Sequence, residues 1–208
     1  MPHLVLLGDG ILANGAHTRQ EPDTALTIRQ LLPGWTVTLL AAEGAPIAAV
    51  STQVQRIPAN PDLVVLSVGG NDAIEHTDIM QQPAVSSGET LDALIKLVEG
   101  FAEKYEGAVK TVRDRAPRVV LCTIYEPPLV GKNTASRARV VLTLLNDRVM
   151  RTAYRWGLDV LDLRAICTSP GDFTLQIAPS AAGAAKIGRA IAAIAAGTEG
   201  RRITVIAG

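Results

Sequence analysis

Residues able to attack, polarise or move a proton cluster in five short segments, and the first four directly follow apolar runs. They are "GDG" (Gly8 to Gly10), "EGAP" (Glu43 to Pro46), "VGGND" (Val68 to Asp72), "IYEPP" (Ile124 to Pro128) and "LQIAPSAAG" (Leu175 to Gly183). A glycine-rich turn behind a buried strand is where an α/β enzyme presents a nucleophile, yet Asp9 is followed by Gly10, which has no side chain to attack with. The plain reading of the glycines in these segments is that they serve turns needing positive φ.

Proton carriers are available nearby. Asp9, Glu126 and His17 are the candidate catalytic groups, with Asp72, Tyr125 and His76 as further pocket residues. Each has a plainer role to set beside it. Asp9 and Asp72 could brace their turns by accepting backbone N–H groups. Glu126 could face the pocket with a raised pKa or face solvent. Tyr125 could simply pack, and a loop histidine such as His17 or His76 is commonly a surface residue. His3 reads as structural. Arg137, Arg139 and Arg164 could hold an anionic group, with ion pairing as the rival role. Ser180 reads as a helix cap rather than a nucleophile, and Ser51 is not an obvious substitute. No spacing makes a metal signature and no glycine pattern makes a nucleotide site, so neither metal nor cofactor is expected.

Elements that would position these residues alternate along the chain. Apolar strands are expected at Leu4–Leu7, Thr36–Ala41, Leu63–Val68, Val119–Ile124 and Asp159–Leu163. Helices are expected from an Asp23 cap through Leu32, from about Ile47 to Arg56, from about Leu91 (Thr90 as cap) to Ala116, from Ala135 to Trp156, and from Ala181 to Ala196. Strands apolar throughout and joined by helices imply a parallel sheet covered on both faces: a three-layer α/β/α sandwich with a mostly parallel five-stranded sheet. In such sheets ligands bind beyond the carboxyl ends of the strands, which is where the five segments lie.

The 208 residues fit one domain, 1–208, with "RRITVIAG" (201–208) as a tail or an added edge strand. Hydrophobic residues make up 48% but aromatics only 3%, so the core must be aliphatic. A net formal charge of zero argues against obligatory nucleic-acid or anionic-membrane partners. An oligomer is compatible with the aliphatic helix faces. The N-terminus enters a strand without a basic leader, which reads as cytoplasmic. Cys122 and Cys167 read as buried, reduced thiols.

The order G-D-x-I, a lone Gly, G-G-N-D, then a P-S-x-x-G-x-x-K-I helix start resembles the SGNH (GDSL) hydrolase superfamily, along nearly the whole chain. "LCTIY", "LNDRV", "VLDLR" and "PSAAGAAKI" follow in the order of a bacterial lipase/acylhydrolase branch. The resemblance implies a flavodoxin-like SGNH fold. It also implies an oxyanion hole at Gly10, Gly44 and Asn71. The nucleophilic Ser position falls on Gly10, the Asp position on Leu175 and the His position on Ala178, so all three triad positions are substituted. Serine-dependent acyl-enzyme chemistry needs the hydroxyl and its base, and the matched positions supply neither. Three functions then follow. The first is a repurposed enzyme acting on a small carbonyl, acyl or ester compound by cyclisation, isomerisation, elimination or water-mediated hydrolysis. The second is a non-catalytic pseudohydrolase binding a small ligand or a partner protein. The third is an ordinary esterase altered at its active site.

Overall fold

The strand residues alternate in destination although all are apolar. Leu4, Leu6, Leu63, Val65, Val120 and Cys122 enter one buried cluster, while Val5, Leu7, Val64, Leu66, Val119 and Leu121 enter another. A sheet with both faces buried must be covered twice, and it is. The computed structural model describes residues 1–198; the expected tail or edge strand at 201–208 lies outside the described residues. Strands β1 (His3–Gly8), β2 (Thr36–Leu39), β3 (Leu63–Ser67), β4 (Val119–Cys122) and β5 (Asp159–Leu161) form one parallel sheet in the order β2-β1-β3-β4-β5. Helices α1 (Thr24–Leu31) and α6 (Ala181–Ala196) cover one face. Helices α2 (Val50–Val54), α4 (Ser87–Arg113) and α5 (Lys132–Trp156) cover the other. The short helix α3 (Gly70–Glu75) leads off from the end of β3. A hairpin of β6 (Phe173–Thr174) and β7 (Ala178–Pro179) precedes α6 and was not expected from the sequence.

The strand order reverses between β1 and β3, where Gly8 pairs with Ser67 at the carboxyl ends. This is the switch point at which open α/β sheets form a crevice. Two buried amides fix the strand ends. The Gln53 side chain accepts from the Gly8 N–H at 2.7 Å and donates to the Gly8 carbonyl at 2.8 Å. Asn146 does the same to Ile124, at 2.7 and 2.8 Å.

Most helix signals hold. Asp23 accepts from Leu26 N–H at 2.7 Å and caps α1, Ser180 caps α6, and Gly157 and Gly197 end α5 and α6 with positive φ. Helix α4, expected to run to Ala116, ends at Arg113, and two helix starts differ. Helix α4 starts a turn before Leu91 because Ser86, not Thr90, is its cap: Ser86 Oγ accepts from Glu89 N–H at 3.2 Å, and the Glu89 carboxylate accepts from Val85 N–H at 2.9 Å. Helix α5 starts at Lys132, right behind Gly131 (φ 95°), rather than at Ala135. The expected second helix divides into a 3-10 turn, Ile47–Ala49, and α2. Ser86→Ala should lower stability by about 1 kcal/mol, read as a shift in the urea midpoint at unchanged slope.

Candidate active site

A cavity of about 360 Å³ opens at the β1/β3 switch point. Its floor is built from the turn after β1 (Asp9, Gly10, Ile11), the turn after β2 (Glu43, Gly44) and the start of α3 (Gly70, Asn71). Apolar groups form the walls: Ile74 on α3 and Met80 just beyond it, Ile124 after β4, Val141 and Leu142 on α5, and Ile177 in the hairpin. The interior is thus a greasy slot with a polar floor, the usual make-up of a small-molecule site.

The three expected donors all reach this floor. Among the described residues, neither the Gly10 nor the Gly44 N–H donates to a protein acceptor. Asn71 lines the cavity and donates one amide proton to the Ala45 carbonyl at 3.0 Å. Its neighbour Asp72 accepts from Ile47 N–H at 2.9 Å. Asn71 and Asp72 therefore clamp the segment just after Gly44 at two points, which is how "GGND" holds a loop some twenty-five positions away. Gly44 has φ +71°, so its turn does require glycine. Gly10 is different. Its φ is ordinary, and a Cβ built on it would meet only Glu43 carbons, at 3.6 Å or more. Nothing in the backbone there demands a glycine.

Asp9 lies beneath the floor, 2% exposed. One carboxylate oxygen accepts from Ile11 N–H at 3.1 Å and from the Ser67 hydroxyl at 3.3 Å. Burial pushes its pKa up to about 7 against those hydrogen bonds. Asp9 thus braces the turn, and its burial favours the uncharged form. Asp72 is also raised, chiefly by burial; it faces the adjoining cavity next to α4 instead of the main one. His76 lines both cavities from the end of α3 and is exposed. Tyr125 lines the main cavity, but its hydroxyl donates to the Ile177 carbonyl and its ring stands edge-on to Phe173 at 5.0 Å. Burial holds that phenol far above its ordinary range. It shapes the wall and has no free proton to offer.

Glu126 requires a correction. It does not reach the Gly10 cavity; it lines a separate one with Arg139 and Arg164, and its carboxylate accepts from Arg139 Nε at 2.9 Å. The arginines have partners of their own: Arg164 forks onto Asp162 at 2.7 and 2.8 Å and Arg139 pairs with Glu126, while Arg137 donates to the Met80 carbonyl. Leu175 is likewise out of place for an active-site role. It occupies the tip of the β6–β7 hairpin at φ +49°, 74% exposed, away from the cavity wall. Ala178 does line the cavity, anchored through the Pro179 carbonyl, which accepts from the buried Asn14 amide at 3.4 Å. Ser180 caps α6 and Ser51 bonds the Ala48 carbonyl, so neither is a displaced nucleophile. Cys122 and Cys167 are buried, free thiols with pKa values raised by burial.

His17 does join the site, in company the sequence did not reveal. It ends a 3-10 turn, Gly15–His17, and its Nε2 sits 2.6 Å from Glu43 Oε1 at the cavity mouth. Glu43 immediately precedes Gly44, so a signal was present: an acidic residue next to the lone glycine. The spacing of twenty-six residues from His17 hid the pairing.

A doubly covered parallel sheet with a glycine–asparagine floor at its switch point defines an SGNH-type hydrolase fold. The chain belongs to the GDSL-like lipase/acylhydrolase family, whose profile matches residues 6–186. Among solved structures it is similar to an extracellular lipase from Streptomyces rimosus, at 18% identity over 94% of this chain and 100% of that one, TM-score 0.70. It is also similar to a phospholipase A1 from Streptomyces albidoflavus (18% identity, 93% and 98% covered, TM-score 0.67). A third similar structure is an acetyl xylan esterase variant from Geobacillus stearothermophilus (17% identity, 97% of each chain, TM-score 0.65). No curated protein sequence matches. Among the described residues no helix is long and apolar enough to cross a membrane, and no group of three His, Cys, Asp or Glu side chains could hold a metal ion.

Proposed function

We propose that this protein binds a small carbonyl, acyl or ester compound in the switch-point cavity and acts on it without a covalent serine intermediate. In this reading positions 10, 175 and 178 are the vacated nucleophile, Asp and His positions of the family. The carbonyl oxygen of the ligand is received by the N–H groups of Gly10 and Gly44 and by Asn71, and its hydrocarbon part lies against Ile74, Ile124, Leu142 and Ile177. The observation that carries the reading is the pair of glycine N–H groups that lack protein acceptors on the floor of an apolar slot. Both glycines are open to solvent, so water can occupy these donors until a ligand oxygen replaces it.

The test uses methyl pentyl ketone as a non-hydrolysable carbonyl probe and p-nitrophenyl butyrate as a reactive one. Calorimetry should show the ketone binding at one site, and intact mass during ester turnover should show no acyl adduct. Absence of ketone binding together with absence of ester turnover sinks the reading. The variant Gly10→Ser is expected to fold like the parent, since φ and space both admit a Cβ. Labelling of this variant by a fluorophosphonate would show that a base other than the vacated His already stands within reach of position 10, and absence of labelling would show that none does.

A further inference from the structure

We propose that Glu43 and His17 form a water-activating pair that substitutes for the vacated nucleophile, and that the reaction class is direct hydrolysis of a small uncharged ester. The inference rests on the functional reading above and adds its proton carrier. Three observations converge. First, Glu43 packs over the empty side-chain position: its Cα and Cγ lie 3.6 Å from where a Cβ of residue 10 would be. Second, His17 Nε2 is held 2.6 Å from Glu43 Oε1, and both residues line the same cavity as Gly10, Gly44 and Asn71. Third, the His17 side chain is the more sheltered of the two, at 17% exposure against 53% for Glu43, so the imidazole is the member held among neighbouring atoms. An exposed pair of this kind contributes little to stability. The fold does not depend on it, and its placement at the mouth is better accounted for by chemistry.

The chemistry closes. The Glu43 carboxylate accepts the Nε2–H of neutral His17, which fixes the tautomer and leaves the Nδ1 lone pair as the base. A water proton passes to Nδ1 as the water oxygen bonds to the acyl carbon. The carbonyl π pair moves onto oxygen, where the Gly10, Gly44 and Asn71 donors receive the charge. Collapse restores the carbonyl, the C–O bond to the leaving group breaks, and the departing oxygen takes the proton from Nδ1. One ester and one water yield one acid and one alcohol, and both side chains end as they began. In this scheme His17 is the catalytic base and Glu43 its positioning residue.

The experiment compares parent, His17→Gly, Glu43→Gln and Glu43→Asp in p-nitrophenyl butyrate turnover, with methyl pentyl ketone binding measured in each. A positioned general base contributes roughly 10²–10⁴-fold, so His17→Gly should lose kcat on that scale and regain part of it with added free imidazole. Glu43→Gln should lose about tenfold or more in kcat at unchanged KM, and Glu43→Asp should recover part of that loss. Ketone affinity should stay the same throughout. If the ketone binds the parent but ester turnover is absent, or is indifferent to His17→Gly, the pair is not catalytic while the binding reading stands. Loss of turnover in His17→Gly without imidazole rescue, or with weakened ketone binding, also overturns the proposal, because it marks the pair as a mere tie between two loops.

Discussion

Asp9→Asn is expected to make this protein more stable above pH 7, by about 4 kcal/mol, and to leave it nearly unchanged at pH 4. The folded-state pKa of Asp9 is raised from 3.8 to about 7, with burial the largest cause. A raised carboxylate pKa means that the folded chain holds a proton the unfolded chain has lost. Between pH 4 and 7 stability therefore falls as pH rises, and above 7 the full penalty of a buried charge is present. Three units at 1.36 kcal/mol each give the stated size. Asparagine imitates the protonated form: its carbonyl oxygen still accepts from Ile11 N–H and the Ser67 hydroxyl. Urea titrations of both proteins at pH 4.5, 6, 7.5 and 9 supply the test, and the difference between the two curves cancels the parallel contribution of Asp72. A gap that stays constant with pH contradicts the assignment. Asp9→Ala makes a useful contrast, because it strands the Ile11 N–H and the Ser67 hydroxyl and should be less stable than Asp9→Asn at every pH.

The same burial explains which parts of the site were legible in the sequence. The five strands, the sheet class and the oxyanion-hole segments follow from apolar runs ending in Gly, Asp and Asn, because those patterns report local backbone needs. Ser86 with Glu89 is also local, and it was overlooked because Thr90 stood closer to the first apolar residue of the helix. Other features depend on contacts across the sheet. Gln53 reaches Gly8 over forty-five residues, and nothing in "STQVQ" marks it as the brace of the first strand end. Glu126 looked equivalent to Glu43, each being a carboxylate just past a strand. The difference is tertiary: Arg139 on α5 draws Glu126 into a neighbouring cavity, and His17 holds Glu43 at the mouth of the main one. Leu175 matched the spacing of a triad residue, yet the β6–β7 hairpin carries it out into solvent.

Asn71→Ala is expected to reduce ester turnover by about 10²–10³-fold, the usual consequence of deleting one oxyanion donor, while the protein stays folded. The side chain has two tasks. One amide proton holds the Ala45 carbonyl, and in the proposed reading the other meets the ligand oxygen. Losing the first leaves a carbonyl without its partner and costs about 1 kcal/mol, a small part of the stability of a domain this size. The Gly44 turn keeps its second anchor, because Asp72 still accepts from Ile47 N–H. Position and catalysis can therefore be separated. A turn that drifted would carry the Gly44 N–H away and weaken ketone binding strongly, because two of three donors would be gone. A turn that stays put loses one donor, whose value is greatest when the oxygen carries full negative charge, so kcat should fall far more than ketone affinity. The double variant Asn71→Ala with His17→Gly adds a further constraint. If the amide stabilises the oxyanion and the imidazole activates the water, both act on the same transition state. Their combined loss should then bottom out at the uncatalysed rate instead of multiplying. Turnover in Asn71→Ala within two- to threefold of the parent, at unchanged ketone affinity, removes Asn71 from the oxyanion site and leaves the glycine N–H groups as its only donors.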